Sequence, residues 1–239
     1  MRIHRLAIVY LLIPLLGWTQ EKTQPAGQTL PVATVSSGAD NFMAAASNWN
    51  RIAPKRVALN RTPPLFDTDE PAALEISTVN VRLARSGGKL LAQLSWRDPS
   101  QDATTLAQAP ATSPESRFIK VPTEADDRFF DAAAVMFPSG TGKDAIAPSL
   151  QMGDTEHPVT IYYWNSSRGA TVMQAEGRST TRRTNQSFSV KANWQRGEWT
   201  VTMEMPDLPS GTPVAFAVWN GAQKDRDGRK YFSVWQVLQ

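Results

Sequence analysis

The sequence of 239 residues contains no cysteine and two histidines, His4 and His157. Without cysteine, this chain has no disulfide, no thiolate nucleophile, no cysteine-ligated cluster and no cofactor attached through thioether bonds. His4 lies in the N-terminal stretch that we expect to be a signal peptide, so a zinc site or a Ser-His-Asp triad has a single histidine to draw on. These classes of site are therefore poor candidates for the function of the chain.

An excess of charge of one sign is also lacking. Lysine and arginine total 25 and aspartate and glutamate total 22. Arg2 and Arg5 lie in the expected signal peptide, and without them 23 basic residues stand against 22 acidic ones. Nucleic-acid binding usually requires a concentrated basic face, and no dense run of lysine or arginine is present. We therefore expect no nucleic-acid partner.

Long hydrophobic runs are absent too. The apolar run from Leu6 to about Trp18 is shorter than the roughly 20 residues that a membrane-spanning helix needs, and arginines precede it. We therefore expect residues 1–20 to be a signal peptide and the protein to be periplasmic or otherwise exported. Because the residues around Gly17 form a poor cleavage site, an uncleaved N-terminal membrane anchor is the alternative.

The rest of the chain divides into two parts. Residues 21–72 are rich in Gln, Thr, Ala, Pro and Asn and have little periodicity, so we expect an extended or partly disordered segment. Residues 73–239 carry strand signals, including two hairpins, STVNVRLARSGGKLLAQLSWRD and QSFSVKANWQRGEWTVTMEMP. Short strands at this spacing, joined by Gly and Pro turns, predict an all-β fold, an antiparallel β-sandwich.

Four sequence blocks occur in a characteristic order: SWRDPSQDAT, FFDAAAVMFP, QMGDTEHPVTIYYW and PVAFAVWNGAQKDRDGRKYFSVWQVL. Together they resemble the haem-binding γ subunits of the ethylbenzene dehydrogenase and dimethylsulfide dehydrogenase type, which are cytochrome b subunits of type II molybdenum enzymes. The resemblance implies a sandwich like that of some carbohydrate-binding modules, holding one non-covalent b-type haem. It also implies that a methionine and a lysine ligate the haem iron.

Met152 matches the methionine of the MGD turn in that family, which makes it the expected sulfur ligand. Lys224 and Lys230 are the candidates for the amine ligand. Lys224 lies in a charged, turn-forming loop, whereas Lys230 opens the last predicted strand, where burial could keep its amine neutral. We favour Lys230, and keep Lys224 and His157 as alternative ligands.

Other residues are candidates for contacts with the porphyrin. Trp164 and Trp219 end two aromatic strand segments and offer wide apolar walls. Arg168 and Arg229 are candidate partners for the haem propionates, since guanidinium pairs with carboxylate in a forked geometry.

Two hypotheses of function follow. In the first, the chain is an exported electron-transfer subunit without substrate chemistry of its own. The resemblance implies that its partners are a catalytic molybdenum subunit and an iron–sulfur subunit, with a soluble cytochrome c as a further candidate. In the second, the chain is a carbohydrate-binding sandwich without a cofactor, which uses exposed tryptophans to stack on sugars.

Overall fold

The computed structural model describes residues 27–36, 38–63, 75–103, 129–140 and 147–239. The expected signal peptide, residues 1–20, lies outside the described residues. The strands are β1 (Thr29–Leu30), β2 (Val32–Thr34), β3 (Lys55–Ala58), β4 (Asn60–Arg61), β5 (Thr78–Ser86), β6 (Lys89–Arg97), β7 (Ala132–Pro138), β8 (Val159–Asn165), β9 (Gly169–Ala175), β10 (Arg182–Arg183), β11 (Val190–Gln195), β12 (Glu198–Pro206), β13 (Pro213–Trp219), β14 (Tyr231–Phe232) and β15 (Gln236–Leu238). The helices are α1 (Ala39–Ala44), α2 (Ala46–Trp49) and a 3-10 turn at Gly221–Gln223.

The strands form two sheets. The larger sheet has the order β1-β15-β13-β7-β8-β9-β10, and β14 joins it by pairing with β13 and β4. The smaller sheet has the order β11-β12-β6-β5-β2, and β3 also pairs with β5. Most neighbouring strands are antiparallel, whereas β1 with β15 and β2 with β5 are parallel pairs.

The main hydrophobic core lies between the two sheets. Val135 and Phe216 from the larger sheet belong to the same buried cluster as Leu94 and Val201 from the smaller sheet. Burial of these side chains removes apolar surface from water, at about 25 cal/mol for each Å². The all-β sandwich predicted from the sequence is confirmed.

The outer faces of the two sheets differ. Phe42, Met43 and Trp49 of α1 and α2 cover the outer face of the smaller sheet, where they pack on Ala84 and Leu91. The outer face of the larger sheet carries a second apolar cluster beneath the loop that precedes β8. This second cluster forms the floor of the site described below.

The segment before residue 73 contributes to both sheets. In addition to the parallel pairs of β1 and β2, β4 pairs with β14 at Arg61 and Tyr231. These short strands have no periodic signal of their own. They form because partners distant in sequence align them. The expected boundary between residues 72 and 73 stays a prediction.

In the part of the chain that the structure describes, no helix combines the length and apolar character needed to cross a membrane.

The C-terminal stretch KYFSVWQVL forms two strands, where the alternation predicts one. Between β14 and β15, Ser233 exchanges hydrogen bonds with Phe216: its N–H donates to the Phe216 carbonyl at 2.8 Å and its hydroxyl accepts from the Phe216 N–H at 2.9 Å. Trp235 then turns to the outer face, where its indole N–H donates to the carbonyl of Pro148 at 2.7 Å. The break therefore lets one stretch of chain contribute to both faces of the sheet.

Candidate functional site

Met152 lies in the turn that precedes β8, with a φ of 76°. Positive φ is uncommon for a residue other than glycine, and it persists where surrounding contacts fix the backbone. The Met152 carbonyl accepts a hydrogen bond from the N–H of Gly177 at 2.9 Å, and the N–H of Gly153 donates to the carbonyl of Ser149 at 2.8 Å. The methionine side chain packs against the outer face of the larger sheet.

The two residues after Met152 shape this turn. Gly153 has a φ of 73°, and a Cβ atom at this position would lie 2.6 Å from the carbonyl oxygen of His157. Asp154 accepts hydrogen bonds from the N–H groups of His157 at 2.8 Å and of Glu156 at 3.0 Å, and the bond from His157 is the main reason that its pKa is lowered. The ring Nδ1 of His157 is 3.1 Å from the same carboxylate. The alternative ligand His157 is therefore engaged with Asp154.

The floor of the site is an apolar surface that we call the outer-face cluster. It consists of Ala132, Ala134, Val159, Ile161, Ala175, Ala215, Trp219 and Trp235, with Met136, Leu150, Met152, Tyr163, Met173 and Ala217 packed at its edge. Much of the floor is alanine, so the sheet backbone can be approached closely. β7 and β13 are apolar on both faces, a pattern typical of strands that are covered on both sides.

Lys230 reaches this cluster from the loop that precedes β14. Its Nζ atom lies 3.7 Å from the Sδ atom of Met152 and 5.4 Å from the centre of the Trp219 ring. The backbone of Lys230 is fixed by Thr62, whose N–H donates to the Lys230 carbonyl at 2.9 Å. Arg61, the neighbour of Thr62, forms a forked ion pair with Asp225, with N···O distances of 2.7 and 2.5 Å. β4 therefore anchors the loop that carries Lys230.

The environment of Lys230 favours the uncharged amine. Burial lowers the pKa of Lys230 and is the largest influence. The negative charge of Asp227 raises this pKa, and the positive charge of Arg178 lowers it. A neutral amine has a lone pair that it can offer to a metal.

The other candidate lysine is placed differently. Lys224 is exposed at the end of the 3-10 turn, with a left-handed φ of 57°, and its N–H donates to the carbonyl of Gly221 at 2.9 Å. Of the two candidate lysines, the structure brings Lys230 into contact with Met152.

The two predicted tryptophans lie on opposite faces of the larger sheet. Trp219 belongs to the outer-face cluster and packs edge to face on Tyr163, with ring centres 5.3 Å apart. Trp164 lies in the core between the sheets, where it packs edge to face on Trp199 at 5.0 Å. Successive residues of β8 point to opposite faces, so Tyr163 reaches the site and Trp164 does not. The structure therefore brings Trp219, but not Trp164, together with Met152 and Lys230.

The two predicted arginines are both exposed. Arg168 lies in the turn between β8 and β9, where its N–H donates to the side chain of Asn165 at 3.0 Å. Arg229 lies next to Lys230, and its Nε atom is 3.6 Å from the buried carboxylate of Asp225. Arg229 therefore already has a carboxylate partner in the protein.

The residues present fit an iron porphyrin. A thioether sulfur and a neutral amine nitrogen are both donors that could hold a haem iron. The sulfur of Met152 and the amine of Lys230 lie 3.7 Å apart, so the two donors converge on one place above the outer-face cluster. The flat alanine floor and the Trp219 and Tyr163 rings suit the faces and edges of an aromatic macrocycle.

Sequence reasoning missed several of these features. Tyr163, Met173 and Arg178 belong to the surroundings of the site, and none of them was a candidate. The available signal was the two-sided apolar character of AAAVMFP and PVAFAVW, which indicates that something covers the outer face.

No family model matches the chain. A protein of Haloferax mediterranei, named as a candidate heme subunit of a respiratory nitrate reductase, is 30% identical over 96% of this chain and 80% of its own length. The γ subunit of dimethylsulfide dehydrogenase from Rhodovulum sulfidophilum is 29% identical over 78% of this chain and 70% of its own length. The γ subunit of chlorate reductase from Ideonella dechloratans is 27% identical, over 64% and 61% of the two chains.

Proposed function

Because the chain belongs to the family of haem-carrying γ subunits of molybdenum oxidoreductases, we propose that it is an exported b-type cytochrome with one non-covalent haem held between Met152 and Lys230. The observation that carries the proposal is the approach of the Met152 sulfur to the Lys230 amine over the outer-face cluster. When bound, the haem supplies a centre that gains and loses one electron. The residues of the chain hold and tune that centre.

Lys230 acts as a nitrogen ligand in its neutral form. Its amine is enclosed near Trp219, and burial disfavours the ammonium form. Thr62 holds the backbone of Lys230 from both directions, since its hydroxyl donates to the Lys230 carbonyl at 2.9 Å and accepts from the Lys230 N–H at 3.3 Å. This anchoring keeps the amine directed at Met152.

Met152 acts as the sulfur ligand. A thioether is a soft, uncharged donor, and methionine ligation raises the reduction potential of a haem. The turn around Gly153 keeps the sulfur on the outer face, so the ligand is in position before the cofactor enters. Trp219 and Tyr163 exclude water from one side of the site and provide an apolar wall.

The proposed partner subunits are inferred from the names of the relatives. Two of them are named γ subunits, one of a dimethylsulfide dehydrogenase and one of a chlorate reductase. We propose that this chain exchanges electrons with an iron–sulfur subunit of a complex whose molybdenum subunit carries out the chemistry, and with a soluble cytochrome c or a quinone-linked carrier outside that complex. The expected leader, residues 1–20, would direct the chain to the periplasm.

The alternative, a carbohydrate-binding module, needs exposed aromatic platforms. Among the described residues, each tryptophan is buried or partly buried. Lys230, which reaches the outer-face cluster, has a lowered pKa, and a sugar platform does not need such a lysine. These observations favour the cytochrome.

The visible spectrum of the purified full-length protein, expressed with export and ample haem, tests the proposal. We expect a Soret band, a sharp α band on reduction and a pyridine haemochrome spectrum of haem b at one haem per chain. A colourless protein that is folded by circular dichroism and takes up no added haemin would refute the proposal.

A further inference from the structure

The edge of the outer-face cluster is formed by β9, β10 and the turn between them. Arg183 of β10 lies directly opposite Met173 of β9 in an antiparallel pair. Opposite residues in such a pair extend their side chains to the same face of the sheet. Met173 packs at the edge of the outer-face cluster, so Arg183 shares the face that carries Met152. The charge of Arg183 also acts on the hydroxyl of Tyr163, whose pKa it lowers against the larger raising effect of burial.

A second arginine approaches the site from the turn itself. Gly177, the residue before Arg178, donates its N–H to the carbonyl of Met152 at 2.9 Å. This hydrogen bond ties the β9–β10 turn to the Met152 turn. Arg178 directly follows Gly177 in this turn, and its positive charge lowers the pKa of Lys230. The structure therefore sets two cations along one border of the site, Arg178 beside the Met152 turn and Arg183 opposite Met173.

These two arginines differ from their neighbours in their partners. Arg182, which alternates to the other face, pairs with Glu176 at 2.9 Å. Arg229 pairs with Asp225 at 3.6 Å. Within the described part of the chain, the ion pairs involve neither Arg178 nor Arg183. Two exposed guanidinium groups that border an apolar face suit a ligand with an apolar body and anionic groups on one edge.

We propose that Arg178 and Arg183 bind the two propionate carboxylates of the haem, an inference that rests on the proposed function. The assignment replaces Arg168 and Arg229 as the favoured propionate partners. It gives the cofactor one orientation, in which the propionate edge points to the β9–β10 border.

Haem retention in variants of the full-length protein tests the proposal. The variants are Arg178→Gln, Arg183→Gln and the double variant. Arg182→Gln is the matched control, since it removes a neighbouring exposed arginine from the opposite face. The rate of haem transfer to excess apomyoglobin is measured for each. We expect the double variant to lose haem at least about tenfold faster than the wild type, because charge-assisted hydrogen bonds are lost. We expect Arg182→Gln to behave like the wild type.

A chemical variant of the cofactor separates the propionate contact from other effects. Haem dimethyl ester has neutral ester groups where haem has propionates. With this cofactor we expect the wild type and the double variant to release the porphyrin at equal rates. If the double variant retains ordinary haem as well as Arg182→Gln does, or if it loses haem and the dimethyl ester equally faster than the wild type, the assignment is wrong. If the wild type itself takes up no haem, the proposed function fails instead.

Discussion

The Nζ atom of Lys230 lies 3.7 Å from the Sδ atom of Met152, although 78 positions separate the two residues along the chain. An ammonium group gains little from a thioether, which is a weak hydrogen-bond acceptor. This contact therefore does not offset the free-energy cost of burying a charged lysine. A neutral amine and a thioether that converge above an apolar floor are a sensible pair of donors for a metal.

The first prediction concerns Met152 and Lys230, the proposed iron ligands. Under the proposed function, Met152→Ala and Lys230→Ala should each bind haem with an altered spectrum, because each variant removes one of the two proposed iron ligands. The loss of low-spin character is read from the reduced α band and from electron paramagnetic resonance of the oxidised protein. Lys224→Ala is the control for the lysine, and it should keep the wild-type spectrum. A change in Lys224→Ala with none in Lys230→Ala would overturn the choice between the two lysines.

The second prediction concerns the turn that carries Met152. In Gly153→Ala, the new Cβ atom would meet the His157 carbonyl oxygen at 2.6 Å in a backbone with a φ of 73°. We expect a loss of about 1–3 kcal/mol in the free energy of unfolding and weaker haem retention. Chemical denaturation and haem transfer measure these effects. Gly169→Ala is a matched control, since Gly169 has a φ of 75° and open space around its Cβ position. Equal losses in the two variants would show that the close contact with His157 is unimportant.

Much of the fold was predictable because its signals are local. Gly87 and Gly88 take positive φ values of 58° and 73° at the tip of the β5–β6 hairpin, as the SGGK turn predicts. Along β12, Trp199 and Met205 share the buried face that the alternation assigns to them. Alternation of this kind depends on a few adjacent residues, so the sequence carries it without knowledge of the rest of the chain.

The remaining features depend on contacts between distant segments. β4 becomes a strand because it pairs with β14, and its own residues give no periodic signal. The alternation of β8 places Tyr163 and Trp164 on opposite faces of the sheet. Because both faces of β8 are apolar, the alternation does not show which of the two residues faces the core. The approach of Arg178 to the site depends on the hydrogen bond between Gly177 and Met152. The methionine and lysine themselves were predicted through the family resemblance.

The third prediction concerns the alanine residues of the outer-face cluster. Ala217 of β13 lies opposite Ala134 of β7, and both belong to the outer-face cluster. Ala217→Leu should fill the space that a flat macrocycle needs, so we expect less haem per chain with little change in the stability of the haem-free protein. Absorbance titration with haemin and thermal unfolding measure the two quantities.

Ala192→Leu is the control for that variant, because Ala192 is exposed on β11 in the other sheet. It should bind haem like the wild type. Full haem binding by Ala217→Leu would show that the macrocycle does not lie over this part of the larger sheet.

The fourth prediction concerns a pair of buried carboxyl groups. Asp98 and Asp131 are fully buried. Burial, followed by the negative charge of Asp131, raises the pKa of Asp98 from 3.8 to about 7. Trp199 and the N–H groups of Gly221 and Asp102 donate hydrogen bonds to Asp131. Asp98 has one buried oxygen without a hydrogen-bond partner among the described residues, so no donor there stabilises the ionised form.

The sign of the pH effect follows from this raised pKa. The folded protein holds a proton on Asp98 that the unfolded chain releases above about pH 4. The stabilisation is therefore complete below about pH 4 and is lost as the pH rises towards 7, the folded pKa. Asp98→Asn cannot ionise, so its free energy of unfolding should fall less than that of the wild type over this range, as measured by urea denaturation of the haem-free protein. Asp207→Asn, at an exposed carboxylate that pairs with Arg85 at 2.9 Å, should keep the wild-type slope between these pH values. A wild-type slope in Asp98→Asn would mean that Asp98 is already ionised in the folded protein at low pH, and Asp131 would then be the group to replace.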